Sequence, residues 1–223
     1  MKLSQRELDD IARYLEAKGL HQVDIKNEVL DHMANDVELR MQEDELSYID
    51  AFELVRKAWS CELTPYSSFW IGLIYVGPRI AMEKCAKRVK KLYARTFLAA
   101  FALSALAYLI LSWDVVIPYY DRVTEGVGYM YLLAFVGFAF FYFRIYQTKM
   151  QTTFRYLYKV HVFGIVAAYL YFNPLLTTYI NFHKEGEIQL LSLFLHSFLL
   201  IYFYTIFDLF KAHSRTVELN TVS

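Results

Sequence analysis

The sequence is poor in the groups that carry chemistry. It has two cysteines, Cys61 and Cys85, in 223 residues. Two thiols so far apart, without companion histidines at ligand spacing, make no zinc site. Both fall in the part expected to face the cytoplasm, where thiols stay reduced, so no disulfide is expected. There is no phosphate-cradling glycine loop, no His-Glu-x-x-His and no Gly-x-Ser-x-Gly. The long apolar runs hold neither a nucleophile with its base nor two carboxylates, as intramembrane hydrolysis or lipid transfer would need. No base-reading module is present, so nucleic acid is not an expected partner. The start, Met1-Lys-Leu-Ser-Gln-Arg-Glu-Leu, lacks the apolar stretch of a cleaved signal peptide. Membrane insertion is therefore expected to rely on the first apolar run. No catalytic residue, cofactor or metal is expected.

What is present changes character near residue 96. Hydrophobic residues make up 57% of the chain, but this average joins a charged first part to four apolar runs: 97–113, 127–146, 160–180 and 188–210. A bilayer core of ~30 Å needs roughly 20 mostly apolar residues per helical span, so each run is a candidate span. The net charge of zero says little; its distribution matters, because cytoplasmic flanks collect Lys and Arg. Lys84, Lys87, Arg88, Lys90, Lys91 and Arg95 precede the first run, whereas Asp114, Asp121 and Glu125 outweigh Arg122 after it. The loop after the second run is again basic, with Lys149, Arg155 and Lys159. Lys184 is set against Glu185 and Glu187 in the next, and Lys211 and Arg215 come after the last run. One topology fits all five segments: both termini inside an inner (plasma) membrane, with two short outer loops.

Ser4-Gln5-Arg6-Glu7 reads as a capping box that opens a helix. Leu8, Ile11, Ala12 and Leu15 form its face, and Gly19 suits the left-handed conformation at its end. A second helix is expected from about Asp24 to Met41, with Ile25, Val29, Met33, Val37 and Met41 four apart. Ser47-x-x-Asp50 announces a third, faced by Tyr48, Phe52, Val55 and Trp59 and ended by Thr64-Pro65. Three short amphipathic helices must pack together to bury their stripes. A bundle of about sixty residues is marginal alone, and gains stability by docking on the neighbouring segment of the chain. That segment, Phe69 to Val76, is apolar but too short to cross a bilayer; it is either a strap over the bundle or a helix at the membrane surface. Beyond it, Met82, Cys85, Ala86, Val89 and Leu92 make an apolar stripe among the basic residues. That is the pattern of an interfacial helix, with Lys84, Lys87, Arg88, Lys90, Lys91 and Arg95 as lipid-headgroup contacts.

The series Leu15, Gly19-Leu20, Ile25, Glu28, Leu30-Asp31-His32-Met33, Asp36-Val37-Glu38, Met41, Ala51-Phe52 and Trp59 resembles the permease-prefix or HAAS-type helical domain of bacterial membrane proteins. The resemblance covers about residues 1–60. It implies an interaction or signalling module without catalytic activity of its own, and implies nothing about the helices beyond it.

Polar residues inside the spans are the remaining suspects, since leaving them facing lipid is costly. His196, Asn173 and Ser104 all fall roughly 10 to 14 Å from the outer ends of their helices at 1.5 Å rise per residue. They could form one polar layer. Asn173-Pro174 adds a freed backbone carbonyl. The layer either lines a ligand, proton or ion site or supplies interhelical hydrogen bonds. At the inner surface Asp208 and Arg144 are expected to pair, with Lys159 as competitor, and His161 is expected to face headgroups. Glu28, His32 and Asp36, one helical turn apart, form a row that either could hold a divalent metal or is a solvated edge.

The expected architecture is all-α: a cytoplasmic three-helix domain (1–60), an apolar strap and basic juxtamembrane helix (61–96), a four-helix transmembrane bundle (97–210) and a cytoplasmic tail (211–223). The expected function is a non-enzymatic membrane protein whose first sixty residues contact another protein. The alternative is a small transporter or channel component, as a homo-oligomer, using His196 and Asn173.

Overall fold

The computed structural model describes residues 2–177, 183–184 and 187–221. Among these the chain is helical apart from two short hairpins. The helices are α1 (Gln5–Ala17), α2 (Val23–Glu43), α3 (Tyr48–Ala58), α4 (Arg79–Leu111), α5 (Tyr120–Gln147), α6 (Thr153–Phe172) and α7 (Leu190–Thr221). Strands β1 (Pro65–Ser67) and β2 (Val76–Pro78) pair antiparallel, as do β3 (His183–Lys184) and β4 (Glu187–Ile188); a 3-10 turn, Asp114–Tyr119, leads into α5. The chain forms two compact units, one of residues 1–89, 149–157 and 215–223 and one of residues 90–148 and 158–214.

In the first unit, local chemistry starts the helices. The Ser4 hydroxyl accepts from the Glu7 amide, and the Glu7 carboxylate accepts from the Ser4 amide. The Ser4 backbone amide, and then its hydroxyl, hold the Glu7 carboxyl below the usual range. Gly19, at φ 83°, ends α1 in the left-handed region that favours glycine. Ser47 caps α3 through the Asp50 amide. The buried faces are Ile11 and Leu15 of α1, Ile25, Val29, Met33 and Val37 of α2, and Ala51 and Val55 of α3. The unit does not stop at residue 60. Leu63, Ile71, Ala81, Met82, Cys85 and Val89 are equally buried. Met82, Cys85, Ala86 and Val89, expected to face a membrane surface, face the interior of this unit instead. The α2 helix supplies partners to the same stretch of α4, so protein rather than lipid covers the stripe.

In the second unit, aromatic side chains do much of the packing. Phe138 stacks on Tyr158 with centroids 5.0 Å apart, and the Tyr158 hydroxyl donates to the Phe138 carbonyl. Phe135 stacks on Tyr169, and Phe141 meets Phe207 and Phe210. Tyr120 closes the other end with Leu111 and Leu193, its hydroxyl donating to the Leu111 carbonyl. Elsewhere apolar side chains point outward: Phe97, Leu98, Phe101, Leu106 and Leu109 on α4 and Tyr129, Leu133, Val136 and Phe140 on α5 are exposed, an exterior suited to lipid.

Three stretches are long and apolar enough to cross a membrane: Arg79–Leu111, Asp114–Gln147 and Leu190–Thr221. The helices that contain them run beyond the expected spans. No break separates a juxtamembrane helix from a first span at residue 96, because α4 runs unbroken through the change in composition. The expected tail is helical through Thr221. The expected third span, 160–180, is shorter as a helix. Arg155 and Lys159 occupy the first turns of α6, and the helix ends at Phe172 before Asn173-Pro174. Residues 160–172 rise roughly 20 Å, against the ~30 Å of a bilayer core. The end of that expected span, residues 178–180, lies outside the described residues.

Candidate functional site

Asp24 bonds to two other helices within the first unit. It lies in the first turn of α2, whose N-cap residue, Gln22, makes no side-chain capping bond. Its Oδ1 accepts from the Thr153 amide at 2.8 Å and from the Thr153 hydroxyl at 2.9 Å. Its Oδ2 accepts from the Arg88 guanidinium at 3.2 Å, and that guanidinium lies 4.5 Å above the Phe154 ring. Thr153 is the first residue of α6, so Asp24 supplies from another helix the acceptor that an N-terminal amide lacks within its own. Its negative charge also suits the positive end of the α6 dipole. Beside it, the Val23 amide donates to the Gln151 carbonyl at 2.8 Å. One turn further along α2, Lys84 of α4 pairs with Glu28 at 2.5 Å, and the Asn27 side-chain Nδ2 donates to Asn220 Oδ1 of α7 at 3.0 Å. The first turns of α2 therefore gather α4, the 149–157 connection with the start of α6, and the end of α7. Sequence reasoning misses Asp24 because its partners are 64 and 129 positions away.

The second unit contains two buried Tyr–His pairs. The Tyr131 hydroxyl and His196 Nδ1 share a hydrogen bond of 3.2 Å, linking α5 to α7. The Tyr202 hydroxyl and His161 Nδ1 lie 2.5 Å apart, linking α7 to α6, with Tyr93 of α4 edge-on to the imidazole. His161 Nε2 is buried without a hydrogen-bond partner among the described residues. Thr148 and His213 Nε2, 2.9 Å apart, tie the end of α5 to α7. A phenol on an imidazole fixes helix positions; it supplies no carboxylate for a proton relay.

The structure does not gather the expected polar layer. His196 is buried against Tyr131. Asn173 is buried, but its Oδ1 accepts from the Leu175 amide and shapes the turn after α6. Ser104 donates to the Phe101 carbonyl of its own helix. Arg144 and Asp208 are both exposed and form no ion pair with each other; each points outward from its helix, and Thr148–His213 makes the link there. His161 does not face headgroups, being held by Tyr202. Of the basic residues, Lys84 and Arg88 are engaged by Glu28 and Asp24, while Lys87, Lys91 and Arg95 are exposed; Lys90 is exposed as well. The Glu28–His32–Asp36 row is split, since Glu28 holds Lys84 and Asp36 accepts from the Trp59 indole at 2.9 Å. No group of three or more metal-ligating side chains converges among the described residues.

No family model, no curated protein and no solved structure matches the chain. Its class is given by its architecture, a helical chain with three helices long and apolar enough to cross a membrane.

Proposed function

We propose that the protein is a non-enzymatic, membrane-embedded adaptor or regulator whose N-terminal helical unit meets a protein partner at the cytoplasmic face. The observation that carries this is the composition of the first unit. Residues 149–157 and 215–221 are built into it around α2, so a partner bound to α1–α3 acts on a unit joined to the ends of α4, α6 and α7. The same composition supports four crossings. The chain leaves this unit after residue 89 and returns by 149 through two membrane-capable stretches. It leaves again after 157 and returns by 215, with α7 long enough for one passage and α6, which starts this excursion, the candidate for the other. The basic flanks favour the cytoplasm as the shared side. The permease-prefix-like pattern of residues 1–60 agrees with an interaction module.

Affinity purification from native membranes in mild detergent, with wild type and a variant lacking residues 1–60, tests the proposal. A specific partner lost with the deletion is expected. A homogeneous homo-oligomer without a partner, in a protein whose phenotype depends on His196, would point instead to transport.

A further inference from the structure

The hairpin between the three-helix bundle and α4 carries an apolar surface that the first unit leaves uncovered. Phe69, Leu73, Ile74 and Val76 are 78%, 66%, 86% and 63% exposed, whereas Ile71 and Ser68 are buried beneath them. The loop is held in shape. The Ile71 and Gly72 amides donate to the Ser68 carbonyl, the Tyr75 amide donates to the Gly72 carbonyl, and β1 pairs with β2 at its base. Its end is tied down: Gly77 abuts the Met82 side chain in the first turn of α4, and Tyr75 packs edge-on against Tyr156 of α6, whose hydroxyl meets the Met82 sulfur.

We propose that this loop is a membrane wedge, inserting Phe69, Leu73, Ile74 and Val76 among the lipids of the bilayer that α4 enters. Three observations select lipid as the occupant. Between Glu62 and Glu83 the sequence holds one charged residue, Arg79, and no carboxylate, so insertion desolvates no acidic group; a protein-binding patch would carry a polar rim. The end of the loop packs on Tyr156, in the first turns of α6, whose sequence continues into the apolar run that starts at residue 160. Lys87, exposed on the part of α4 that belongs to the same unit, suits anionic headgroups. The inference rests on the membrane-embedded character of the chain and not on its proposed partner.

Trp70, within the loop, is the reporter. In the full chain carrying Trp59→Phe and Trp113→Phe, reconstituted into vesicles of phosphatidylcholine with anionic phosphatidylglycerol, Trp70 emission is compared between plain lipids and lipids brominated near the headgroup end of the acyl chain. A Phe101→Trp variant that also carries Trp70→Phe reports on the exposed apolar face of α4. Quenching at both positions is expected, with Ile74→Asp reducing it at Trp70 alone. Quenching of the Phe101→Trp indole with none at Trp70 overturns the wedge. Quenching at neither overturns the membrane assignment together with it. Trp70 emission that turns blue in native membranes but stays red and unquenched in the protein-free vesicles gives the surface to a protein and also overturns the proposal.

Discussion

Asp24 takes hydrogen bonds from residues 64 and 129 positions away. Three donors from α4 and α6 converge on it, one of them a guanidinium. Hydrogen bonds to charged groups contribute ~1.5–3 kcal/mol, and leaving Arg88 without its acceptor adds to the loss. Asp24→Ala is therefore expected to destabilise the first unit by about 2–4 kcal/mol. Buried Cys85 and exposed Cys61 supply the readout. Under mild denaturation the variant should label faster at Cys85 and unchanged at Cys61; equal protection of Cys85 in variant and wild type would remove Asp24 from this role. Tyr48 gives a pH test in the same unit. Its hydroxyl donates to the Glu7 carbonyl, and burial, aided by the nearby Asp10 and Glu7 carboxylates, pushes it up to about 12. A raised phenol pKa favours the neutral folded form, so this contribution is intact below pH ~10 and is lost as the pH rises through about 12. The tyrosinate difference spectrum between wild type and Tyr48→Phe should titrate near 12; a midpoint near the ordinary tyrosine value would contradict the burial.

At the scale of elements, what local chemistry controls is legible in the sequence and what distant contacts control is not. The caps at Ser4 and Ser47 act within one turn, and both occur where the sequence places them. The start of α4 is hidden because composition changes near residue 96 while nothing there interrupts a helix; a shift from charged to apolar side chains changes surroundings, not backbone preference. The third run reads too long because Asn173-Pro174 is equally a kink or a stop in sequence. The Asn173 side chain, bonded to the Leu175 amide, makes it a stop. That turn brings Leu175 against α5, where a Cβ on Gly128 would overlap the Leu175 side chain. Gly128→Ala should destabilise the second unit by about 1–3 kcal/mol, the range for overpacking, and Leu175→Ala should restore much of it. Detergent-solubilised thermal melts of the two single variants and the double variant measure the coupling; additive losses would mean that the two residues do not meet. The candidate polar layer is the least legible part, because equal depth says nothing about azimuth: Ser104 and His196 each have helical partners that spacing alone does not select.

On the scale of the whole molecule, the chain makes two excursions from its first unit and returns to it twice. The proposed function rests on that pattern, with one helical unit collecting every connection on the cytoplasmic side and meeting its partner there. The direct measurement is sidedness at all three segments. Native Cys61, Gln151→Cys and Arg215→Cys, the last two in a Cys61→Ser background, sit at exposed positions of the three segments. Each is treated with a membrane-impermeant maleimide in right-side-out and inverted vesicles. All three should react in inverted vesicles and be protected in right-side-out ones. Reaction of any one from the opposite face would contradict a single cytoplasmic unit and the adaptor role proposed for it.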